Sequence, residues 1–546
     1  MLGLMMDQPL LIASILGHAD RYHGDTEVVS RACEGGIHRY TYREAHARAR
    51  RLANALARLG VRAGDRVGTL AWNGYRHFEL YYGVSGMGAV IHTVNPRLFP
   101  EQIVYIVNHA EDGYVFFDLT FASLVEKLAP SCKGVKGWVA MTDRAHMPAI
   151  QAPNLLCYEE LLAAEGDGFE WPTFDERTAA GLCYTSGTTG HPKGVLFSHR
   201  STVLHAFAIS LPDVSDYSAR SVVLPIVPMF HVNAWGIPYA APLNGAKLVF
   251  PGPGLDGASL YELFEKEKVT GSSGVPTVWL NLLAYVKERG LRFSTLKRTV
   301  IGGAACPPAM IRTLQEDYGI EVRHGWGMTE MSPVGTVNTP KEKHYGLSAD
   351  ERFALSLKQG RPPFGVDMKI VDGAGRELPR DGKAFGDLLV KGPSILREYY
   401  RAEGGSPLRD GWFPTGDVGT IDPDGYLQIT DRSKDVIKSG GEWISSIDLE
   451  NIAMGFPGVA EAAVIGVKHP KWDERPLLIV VKKPGAEVTR EALLAFYEGK
   501  VAKWSLPDDV VFVEELPHTA TGKLSKMTLR EKFQGYRLPT AAAAAD

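Results

Sequence analysis

The sequence predicts an α/β protein: a large N-terminal domain of doubly wound α/β subdomains plus a small β-rich subdomain, followed by a small α+β domain. Three observations predict this. Before about residue 360, short apolar strand candidates alternate with amphipathic helical stretches, as in mainly parallel sheets covered by helices. From about Gly365, short strand candidates follow one another with glycines between them. Beyond about residue 432, strand candidates and a helix indicate a further compact unit.

Size and charge exclude several classes of protein. The chain has 546 residues, which is too long for one hydrophobic core and predicts several folding units. Hydrophobic residues at 45% and charged residues at 22% are ordinary globular values, so neither a disordered nor a fibrous protein is indicated. The net charge of −4 provides no basic field for nucleic acid or anionic lipid, so binding has to come from local sites.

The cysteines and the hydropathy pattern predict a reduced, cytoplasmic protein. The five cysteines are odd in number, widely separated and without a Cys-x-x-Cys pair: Cys33, Cys132, Cys157, Cys183 and Cys306. Neither a zinc site nor a disulfide framework is therefore expected. There is no run of 18 apolar residues, and the first residues lack the basic region and cleavage site of a signal peptide. We expect neither secretion nor a membrane span.

The first part of the chain carries the clearest helix signal. Thr41 and Glu44 form a capping-box pattern, and apolar residues then recur at helical spacing through 42–59, before Gly60. A strand candidate follows at 66–71, and helical stretches follow at 99–109 and 121–128. We assign packing and no function to these elements.

Three later strand candidates lead into residues that could take part in binding or catalysis. The strand at 221–228 leads to His231 and Trp235, which would share a helix face and which residue type alone favours as core residues. The strand at 299–305 ends in small residues, against which adenine or an acyl chain could lie flat. The strand at 320–324 runs into glycines that suit a tight turn at a strand's carboxyl end, where open α/β sheets bind ligands. Glu330 follows there, and by residue type alone it is a solvated acid.

The β-rich part has strand candidates at 368–371, 385–390 and 426–430. Asp417 lies between the last two, either as a turn residue or as an acidic acceptor suited to a diol. The charged stretch 431–446 reads as a solvated linker or as part of a site. Strands at 460–467 and 477–481 and a helix at 490–501 complete the C-terminal unit. Lys523 and Lys526 near its end are surface charges or members of a site.

Residues 184–195 form the stretch around which the chain is organised. Hydroxyl side chains, glycines and Lys193 follow the apolar strand candidate 181–184, which is a pattern built to hold phosphate. It is not a Walker A loop, because Gly187 and Gly190 are three apart and Lys193 is followed by glycine. The alternative is a surface loop rich in glycine and threonine that binds no ligand.

The order Thr-Ser-Gly-Thr-Thr-Gly-x-Pro-Lys-Gly in this loop resembles the signature of the adenylate-forming enzymes, the superfamily of acyl-CoA synthetases, peptide-synthetase adenylation domains and beetle luciferases. The resemblance extends from about residue 30 to 530. Other family motifs follow in order, among them Trp-Gly-x-Thr-Glu at 326–330 and Pro-x-Thr-x-Thr-Gly-Lys at 517–523. Within the superfamily, the sequence is most similar to medium- and long-chain fatty-acyl-CoA synthetases and methylmercaptopropionate-CoA ligases. Asp387 departs from a Glu common in relatives, and we expect it to be structural.

The resemblance implies ATP, Mg²⁺ and CoA as cofactors and co-substrate, an adenylation domain at 1–431, and a mobile C-terminal domain at 432–546 with its hinge near Lys434. It implies catalytic roles for Lys523, with Lys526 the weaker candidate, and for Glu330, Thr185 and His231; Thr185 and Glu330 would hold the metal. The implied nucleotide-binding residues are Thr185, Ser186, Gly187, Thr188, Thr189, Gly190, Lys193, Gly302, Gly303, Ala304, Gly325, Trp326, Gly327, Met328, Thr329, Asp417, Arg432, Lys434, Lys438 and Trp443. The implied acyl-site residues are His231, Val232, Trp235, Gly302, Gly303 and Trp326. A homodimer is also implied.

The expected function is ATP-dependent ligation of a short-to-medium chain fatty acid or 3-methylmercaptopropionate to CoA, through an acyl-adenylate and with release of AMP and pyrophosphate. Each buried methylene contributes up to about 0.8 kcal/mol, so chain-length preference should be graded. The alternatives are a long-chain synthetase, an enzyme that loads a separate carrier protein, a luciferase-type oxidase and a nucleotide sensor without catalysis. The last predicts loss of Glu330 or Lys523, and both are present.

Overall fold

The computed structural model describes residues 1, 3–185, 192–402, 405–440, 442–518 and 524–542. The chain divides into two compact units. The described residues of unit 1 come from Met1–Gly187, His191–Asp367 and Lys391–Leu408, and those of unit 2 mainly from Met368–Val390 and Arg409–Asp546. Unit 2 contains both the β-rich part and the C-terminal part, and the predicted domain boundary at 431/432 stays a prediction.

The strands of unit 1 belong to two sheets. Their bounds are β1 (Glu27–Arg31), β2 (Ile37–Thr41), β3 (Arg66–Leu70), β4 (Val90–Thr93), β5 (Asp112–Phe117), β6 (Gly137–Ala140), β7 (Leu155–Cys157), β8 (Ala179–Tyr184), β9 (Gly194–Ser198), β10 (Val222–Pro225), β11 (Lys247–Phe250), β12 (Gly271–Gly274), β13 (Arg298–Ile301), β14 (Glu321–Gly327) and β15 (Val334–Val337).

The α-helices of unit 1 are α1 (Ile12–His23), α2 (Tyr42–Arg58), α3 (Tyr75–Gly86), α4 (Pro100–Ala110), α5 (Ala122–Leu128), α6 (Tyr158–Ala163), α7 (His199–Ser210), α8 (Ile237–Leu243), α9 (Gly257–Lys266), α10 (Pro276–Glu288), α11 (Pro308–Arg312) and α12 (Ala349–Ser356). Short 3₁₀ turns include Val232–Gly236 and Thr329–Met331. The predicted capping box forms at α2, where the Thr41 side chain and the Glu44 carboxylate each accept a backbone N–H from the other residue.

The two sheets of unit 1 are mainly parallel, as predicted. The first has the strand order β15-β14-β13-β12-β10-β11-β1-β2, and antiparallel pairs occur only towards its two edges among the described strands. The second has the order β7-β6-β5-β3-β4-β8-β9, in which β9 alone of these described strands pairs antiparallel, with β8.

The first sheet is covered by apolar side chains on both faces. Val223 and Leu248 join a core shared with α1, α2, α3 and the second sheet, and their sequence neighbours Leu224 and Val249 join a separate core with α9 and α10. Successive residues of a strand point to opposite faces. Burial on both faces explains why these strands read as continuous apolar runs, which is typical of parallel sheets.

Unit 2 contains β16 (Asp367–Val371), β17 (Phe385–Lys391), β18 (Phe413–Ile421), β19 (Leu427–Arg432), β20 (Ile437–Ser439), β21 (Glu442–Ile444), α13 (Ser446–Met454), β22 (Val459–His469), β23 (Asp473–Lys482), α14 (Arg490–Phe496), β24 (Asp509–Val513), α15 (Lys526–Lys532) and α16 (Pro539–Ala542). One sheet has the order β16-β17-β18-β19, which is the predicted β-rich subdomain. The other has the order β21-β20-β23-β22, with β24 parallel to β23.

In unit 2, one expectation was wrong in detail and one of two open alternatives is excluded. The helix predicted at 490–501 ends at Phe496, and it cannot continue to residue 501 because Gly499 takes a φ of +75°, outside the right-handed helical region. The stretch 431–446 is not a solvated linker. It contains the end of β19 and the antiparallel pair β20–β21, and Asp431 within it is buried.

Candidate active site

The base of the predicted phosphate loop is closed by Thr185 and Lys193. The Thr185 N–H donates to the Lys193 carbonyl oxygen (2.9 Å), and the Lys193 N–H donates to Thr185 Oγ1 (3.3 Å). They stand between β8 and the antiparallel β9, so the loop is a hairpin connection. The return strand β9 was not predicted. Ser186, Gly187, Thr188, Thr189 and Gly190, which carry the other predicted phosphate contacts, lie outside the described residues.

Tyr184 fixes the strand that leads into this loop. Its hydroxyl lies 2.6 Å from Nδ1 of His109, and its ring lies 5.2 Å from that of His92, which pairs with Asp112 in the core. Burial raises the pKa of Tyr184, so its hydroxyl stays protonated. The loop therefore leaves a strand whose last side chain is held in place.

Glu330 is buried, with 7% of its surface exposed, although by residue type it would be a solvated acid. It lies in the 3₁₀ turn after β14. The Tyr399 hydroxyl donates to its Oε1 (2.8 Å), and the Leu396 N–H donates to its carbonyl oxygen (2.8 Å). The Lys193 ammonium lies 4.9 Å from the centre of the Tyr399 ring. Unit 1 thus brings together Lys193, Glu330 and Tyr399, a residue that the sequence did not single out.

The glycines near Glu330 permit close backbone approach, and they do not form the predicted turn. Gly325, Trp326 and Gly327 are still in β14, paired antiparallel with β15. A β-carbon on Gly327 would lie 2.0 Å from the Pro333 carbonyl oxygen, and one on Gly302 would lie 2.8 Å from the Gly325 carbonyl oxygen. Only glycine fits at either position. The strand β14 therefore continues to Gly327, directly before Met328 and Thr329.

The segment that carries the predicted acyl-site residues is a left-handed turn. Val232, Asn233, Ala234 and Trp235 have φ values of 38°, 57°, 46° and 55°, although none of them is glycine. The expectation that His231 and Trp235 share a helix face is therefore wrong, since it assumed a right-handed helix. Such a conformation costs roughly 1–2 kcal/mol per residue.

Contacts of Asn233 and Trp235 hold this turn. Asn233 is buried and accepts a hydrogen bond from the Tyr81 hydroxyl at Oδ1 (3.2 Å). The indole of Trp235 covers Gly302 and Gly303: β-carbons placed on them would lie 3.5 Å from Cη2 and 3.7 Å from Cζ2 of Trp235. Val232 is buried, and His231 donates its backbone N–H to the Pro228 carbonyl oxygen (3.0 Å). The structure thus joins Trp235 to the two glycines predicted for the same site.

In unit 2, Asp417 and Arg432 are directly opposed in the β18–β19 register. Asp417 is buried, and Arg432 Nε lies 2.9 Å from its Oδ1. The Thr415 hydroxyl accepts the Asp417 N–H (3.1 Å) and donates to the Leu388 carbonyl oxygen (2.9 Å). Strand pairing therefore brings together two of the residues predicted to bind the nucleotide.

Lys434, the predicted hinge residue, lies two positions after Arg432. Ser433 donates its hydroxyl to Asp387 Oδ1 (2.7 Å), a contact that fits the structural role expected for Asp387. Burial is the main cause that lowers the pKa of the Lys434 ammonium. Lys438 and Trp443 are paired in the β20–β21 register, with the Lys438 ammonium 5.8 Å from the indole centre.

Residues 17–400 match the family model described as AMP-binding enzyme, and residues 448–523 match the model described as AMP-binding enzyme C-terminal domain. The chain belongs to the AMP-binding enzyme family. Because the first model spans more than half of the chain, the family predicted from the motifs is confirmed.

Three comparisons with individual proteins show which members of the family this AMP-binding enzyme resembles. It is 56% identical over 534 residues to the 3-methylmercaptopropionyl-CoA ligase of Ruegeria lacuscaerulensis, covering 98% of this chain and 99% of the relative. It is 52% identical to the medium-chain-fatty-acid–CoA ligase of Ectopseudomonas oleovorans, covering 98% of each. It resembles the crystal structure of the anthranilate CoA ligase AuaEII in complex with anthranoyl-AMP, with a TM-score of 0.84, 25% identity and 99% of each chain covered. The predicted α/β fold and the predicted class, an ATP-dependent ligase that forms acyl-CoA, are confirmed.

The oxygen donors of this AMP-binding enzyme fit Mg²⁺. The described residues contain no cluster of three or more His, Cys, Asp or Glu side chains that could hold a metal. Mg²⁺ is usually held by one or two carboxylates together with substrate phosphates and waters, so it needs no such cluster. The buried carboxylate of Glu330 and the hydroxyl of Thr185 are hard oxygen donors that could hold such an ion.

The two candidate lysines near the C-terminal end differ. Lys523 lies outside the described residues. The Lys526 ammonium lies 2.7 Å from Glu450 Oε1, and both side chains are largely buried. The Glu450 carboxylate also accepts the Val464 N–H (2.8 Å). Lys526 therefore links the start of α15 to α13 through an ion pair. Among the residues that the structure describes, no helix is long and apolar enough to cross a membrane.

Proposed function

We propose that this enzyme activates a short-to-medium chain carboxylic acid, with 3-methylmercaptopropionate the leading candidate, and transfers the acyl group to CoA. The observation that carries the proposal is the indole of Trp235 against Gly302 and Gly303, which occupies room that a longer acyl chain would need. The 56% and 52% identities to a 3-methylmercaptopropionyl-CoA ligase and a medium-chain ligase support the same size range.

A thioether acid and a short fatty acid are compatible with one apolar site. A thioether sulfur is polarizable and about as apolar as a methylene, so 3-methylmercaptopropionate and pentanoate have nearly the same length and apolarity. Each further methylene that the site buries contributes about 0.8 kcal/mol, which is roughly fourfold in kcat/KM. The preference between neighbouring chain lengths should therefore be graded. A long-chain synthetase is the second candidate, and it requires the indole to move.

The first half-reaction joins two anions. The acid oxygen attacks the α-phosphorus of ATP, an O–P bond forms, and the bond to pyrophosphate breaks. Thr185 and Glu330 would hold Mg²⁺, which when bound supplies positive charge against the phosphates. Lys193 would bind phosphate with its ammonium, Asp417 would accept hydrogen bonds from the ribose hydroxyls, and Arg432 would donate to them. Lys523 would stabilise the charge that develops as pyrophosphate leaves.

The second half-reaction requires access for a different nucleophile. The CoA thiolate attacks the acyl carbon, the bond to AMP breaks, and AMP leaves with the bridging oxygen. By family resemblance, rotation about Lys434 would withdraw Lys523 and admit the thiol, so conformational gating separates the two steps. His231, Val232, Trp235 and Trp326 would line the acyl and thiol path.

The test is a panel of straight-chain acids from three to sixteen carbons plus 3-methylmercaptopropionate, scored by kcat/KM with ATP, Mg²⁺ and CoA in excess. We expect an optimum between four and ten carbons, with the thioether acid equal to or better than pentanoate. An optimum at twelve or more carbons with negligible thioether turnover would contradict the proposal and favour the long-chain candidate.

Three further properties are proposed with the function. Thioester formation with free CoA would exclude a strict requirement for a carrier protein, and the absence of light emission and oxygen uptake would exclude a luciferase-type oxidase. The described cysteines are all free thiols, which fits the reducing cytoplasm. By family resemblance we propose a homodimer, which light scattering during size-exclusion chromatography would test.

A further inference from the structure

We propose that Tyr399 is the positioning residue of the metal carboxylate: its hydroxyl orients Glu330 while the same aromatic ring holds the Lys193 ammonium. The inference rests on the proposed role of Glu330 in holding Mg²⁺. It adds a residue that belongs to none of the sequence motifs described above.

Tyr399 contacts two residues of opposite charge that are far apart in sequence. The Tyr399 hydroxyl donates to Glu330 Oε1 at 2.8 Å, and the ring centre lies 4.9 Å from the Lys193 ammonium. A hydrogen bond to a carboxylate is about twice as strong as one between neutral groups, and it fixes the direction of the remaining lone pairs. A cation over an aromatic face is attracted by the ring quadrupole. One side chain can therefore set the positions of both charged groups.

The backbone around Tyr399 is fixed at both contacts. On one side, the Leu396 N–H donates to the Glu330 carbonyl oxygen (2.8 Å). On the other side, the Tyr400 N–H donates to the carbonyl oxygen of Gly194 (2.8 Å), the residue after Lys193. The segment 396–400 thus connects the end of the phosphate loop to the turn that carries Glu330. Tyr399 lies between two backbone anchors, which limits the movement of its ring.

The protonation state suits this role. A tyrosine hydroxyl is protonated at neutral pH and an ionised carboxylate can only accept, so the 2.8 Å contact is a hydrogen bond donated by Tyr399 to Glu330. The hydroxyl therefore stays a donor throughout the pH range in which the enzyme is assayed. It orients the carboxylate and does not exchange a proton with substrate, so Tyr399 is not a catalytic residue.

The experiment uses Tyr399→Phe, which removes the hydroxyl and keeps the ring, in the full-length enzyme. Binding of Mg²⁺ together with α,β-methylene-ATP is measured by isothermal titration calorimetry, and the Mg²⁺ concentration for half-maximal adenylation is measured in parallel. We expect Tyr399→Phe to raise both the dissociation constant and the half-saturating Mg²⁺ concentration about tenfold, because a hydrogen bond to a charged group is lost. Affinity for the nucleotide in EDTA should not change.

Two further variants distinguish a failure of the role proposed for Tyr399 from a failure of the metal role proposed for Glu330. Tyr400→Phe is the matched control, and it should leave Mg²⁺ dependence unchanged. Glu330→Gln should raise the half-saturating Mg²⁺ concentration more than Tyr399→Phe does. A shift in Glu330→Gln without one in Tyr399→Phe would overturn the role of Tyr399 alone. No shift in Glu330→Gln would overturn the proposed metal role and this inference with it. Equal shifts in Tyr399→Phe and Tyr400→Phe would indicate general disruption and also overturn it.

A second substitution tests the ring. Tyr399→Leu removes the hydroxyl and the aromatic face together. We expect it to reproduce the Mg²⁺ defect and, in addition, to weaken nucleotide binding in EDTA about two- to fivefold, because Lys193 loses a cation–π contact. Tyr399→Leu with the same EDTA affinity as Tyr399→Phe would show that the ring does not position Lys193.

Discussion

Trp235→Ala is expected to move the substrate preference towards longer acids. The indole edge faces Gly302 and Gly303, since β-carbons placed on these glycines would be at van der Waals distance from its ring atoms, at 3.5 and 3.7 Å. Neither glycine has a side chain that could fill the space, so removal of the indole leaves room for additional methylenes. Octanoate has three more methylenes than pentanoate. At about 0.8 kcal/mol each, full burial contributes about 2.4 kcal/mol, or roughly 60-fold.

The assay compares kcat/KM for octanoate and pentanoate in the wild type and in Trp235→Ala, with ATP and CoA saturating. We expect the octanoate-to-pentanoate ratio to rise by roughly 10- to 60-fold, the lower figure applying if the site collapses partly around the vacated space. Trp504→Ala, at an exposed tryptophan of unit 2, is the control and should leave the ratio unchanged. A ratio that stays within about twofold of wild type would refute the argument that Trp235 limits the acyl site.

Other predictions concern the half-reactions, the acid stability and the left-handed turn. Lys523→Ala should lower pyrophosphate release about 100- to 1,000-fold, while thioester formation from supplied acyl-adenylate survives; equal loss of both steps would exclude the adenylation role. Lys434→Pro should adenylate normally but form thioester slowly, because a fixed φ prevents rotation; a wild-type rate of thioester formation would rule out a hinge there. Burial lowers the pKa of His205 to about 3 from 6.5, so the unfolded chain binds a proton that the folded chain does not, and stability should fall as the pH drops from about 6.5 towards 3. His205→Gln should flatten this dependence in thermal melts at several pH values, and an unchanged slope would argue against it. Asn233→Ala removes the second acceptor of the Tyr81 hydroxyl, which also donates to the Met229 carbonyl oxygen (2.6 Å), and it removes a residue that tolerates positive φ, so urea unfolding should show a loss of about 1 kcal/mol; an unchanged midpoint would show that the turn does not depend on Asn233.

Local patterns predicted much of the fold. The capping box at Thr41 and Glu44 fixed the start of α2, and the alternation of apolar strands with helices predicted the parallel sheets. The pair β20–β21 was ambiguous because its charged residues also occur in linkers, and only pairing with β23 makes it part of a sheet. Sequence periodicity cannot detect such a partner, since the pairing is long-range.

The sequence motifs predicted most of the site residues. They did not predict the features of the site whose geometry depends on tertiary contacts. Asp417 and Arg432 were identified separately, and their ion pair follows from strand register. Only the last residue of the left-handed turn Val232–Gly236 is a glycine, so the sequence gives no local signal for the positive φ values of the four residues before it. Tyr399 contacts Glu330 across 69 residues of sequence, and nothing in its local pattern distinguishes it from Tyr400. A contact of this kind can be identified only from the three-dimensional arrangement of the strands.

The central claim is that an oxygen of the acid attacks the α-phosphorus of ATP before CoA enters. The most direct measurement uses 3-methylmercaptopropionate labelled with ¹⁸O in both carboxylate oxygens, with ATP and CoA, followed by mass spectrometry of the products. We expect AMP to carry one ¹⁸O and the acyl-CoA to keep the other. Unlabelled AMP, or ADP with the label in inorganic phosphate, would contradict the acyl-adenylate route.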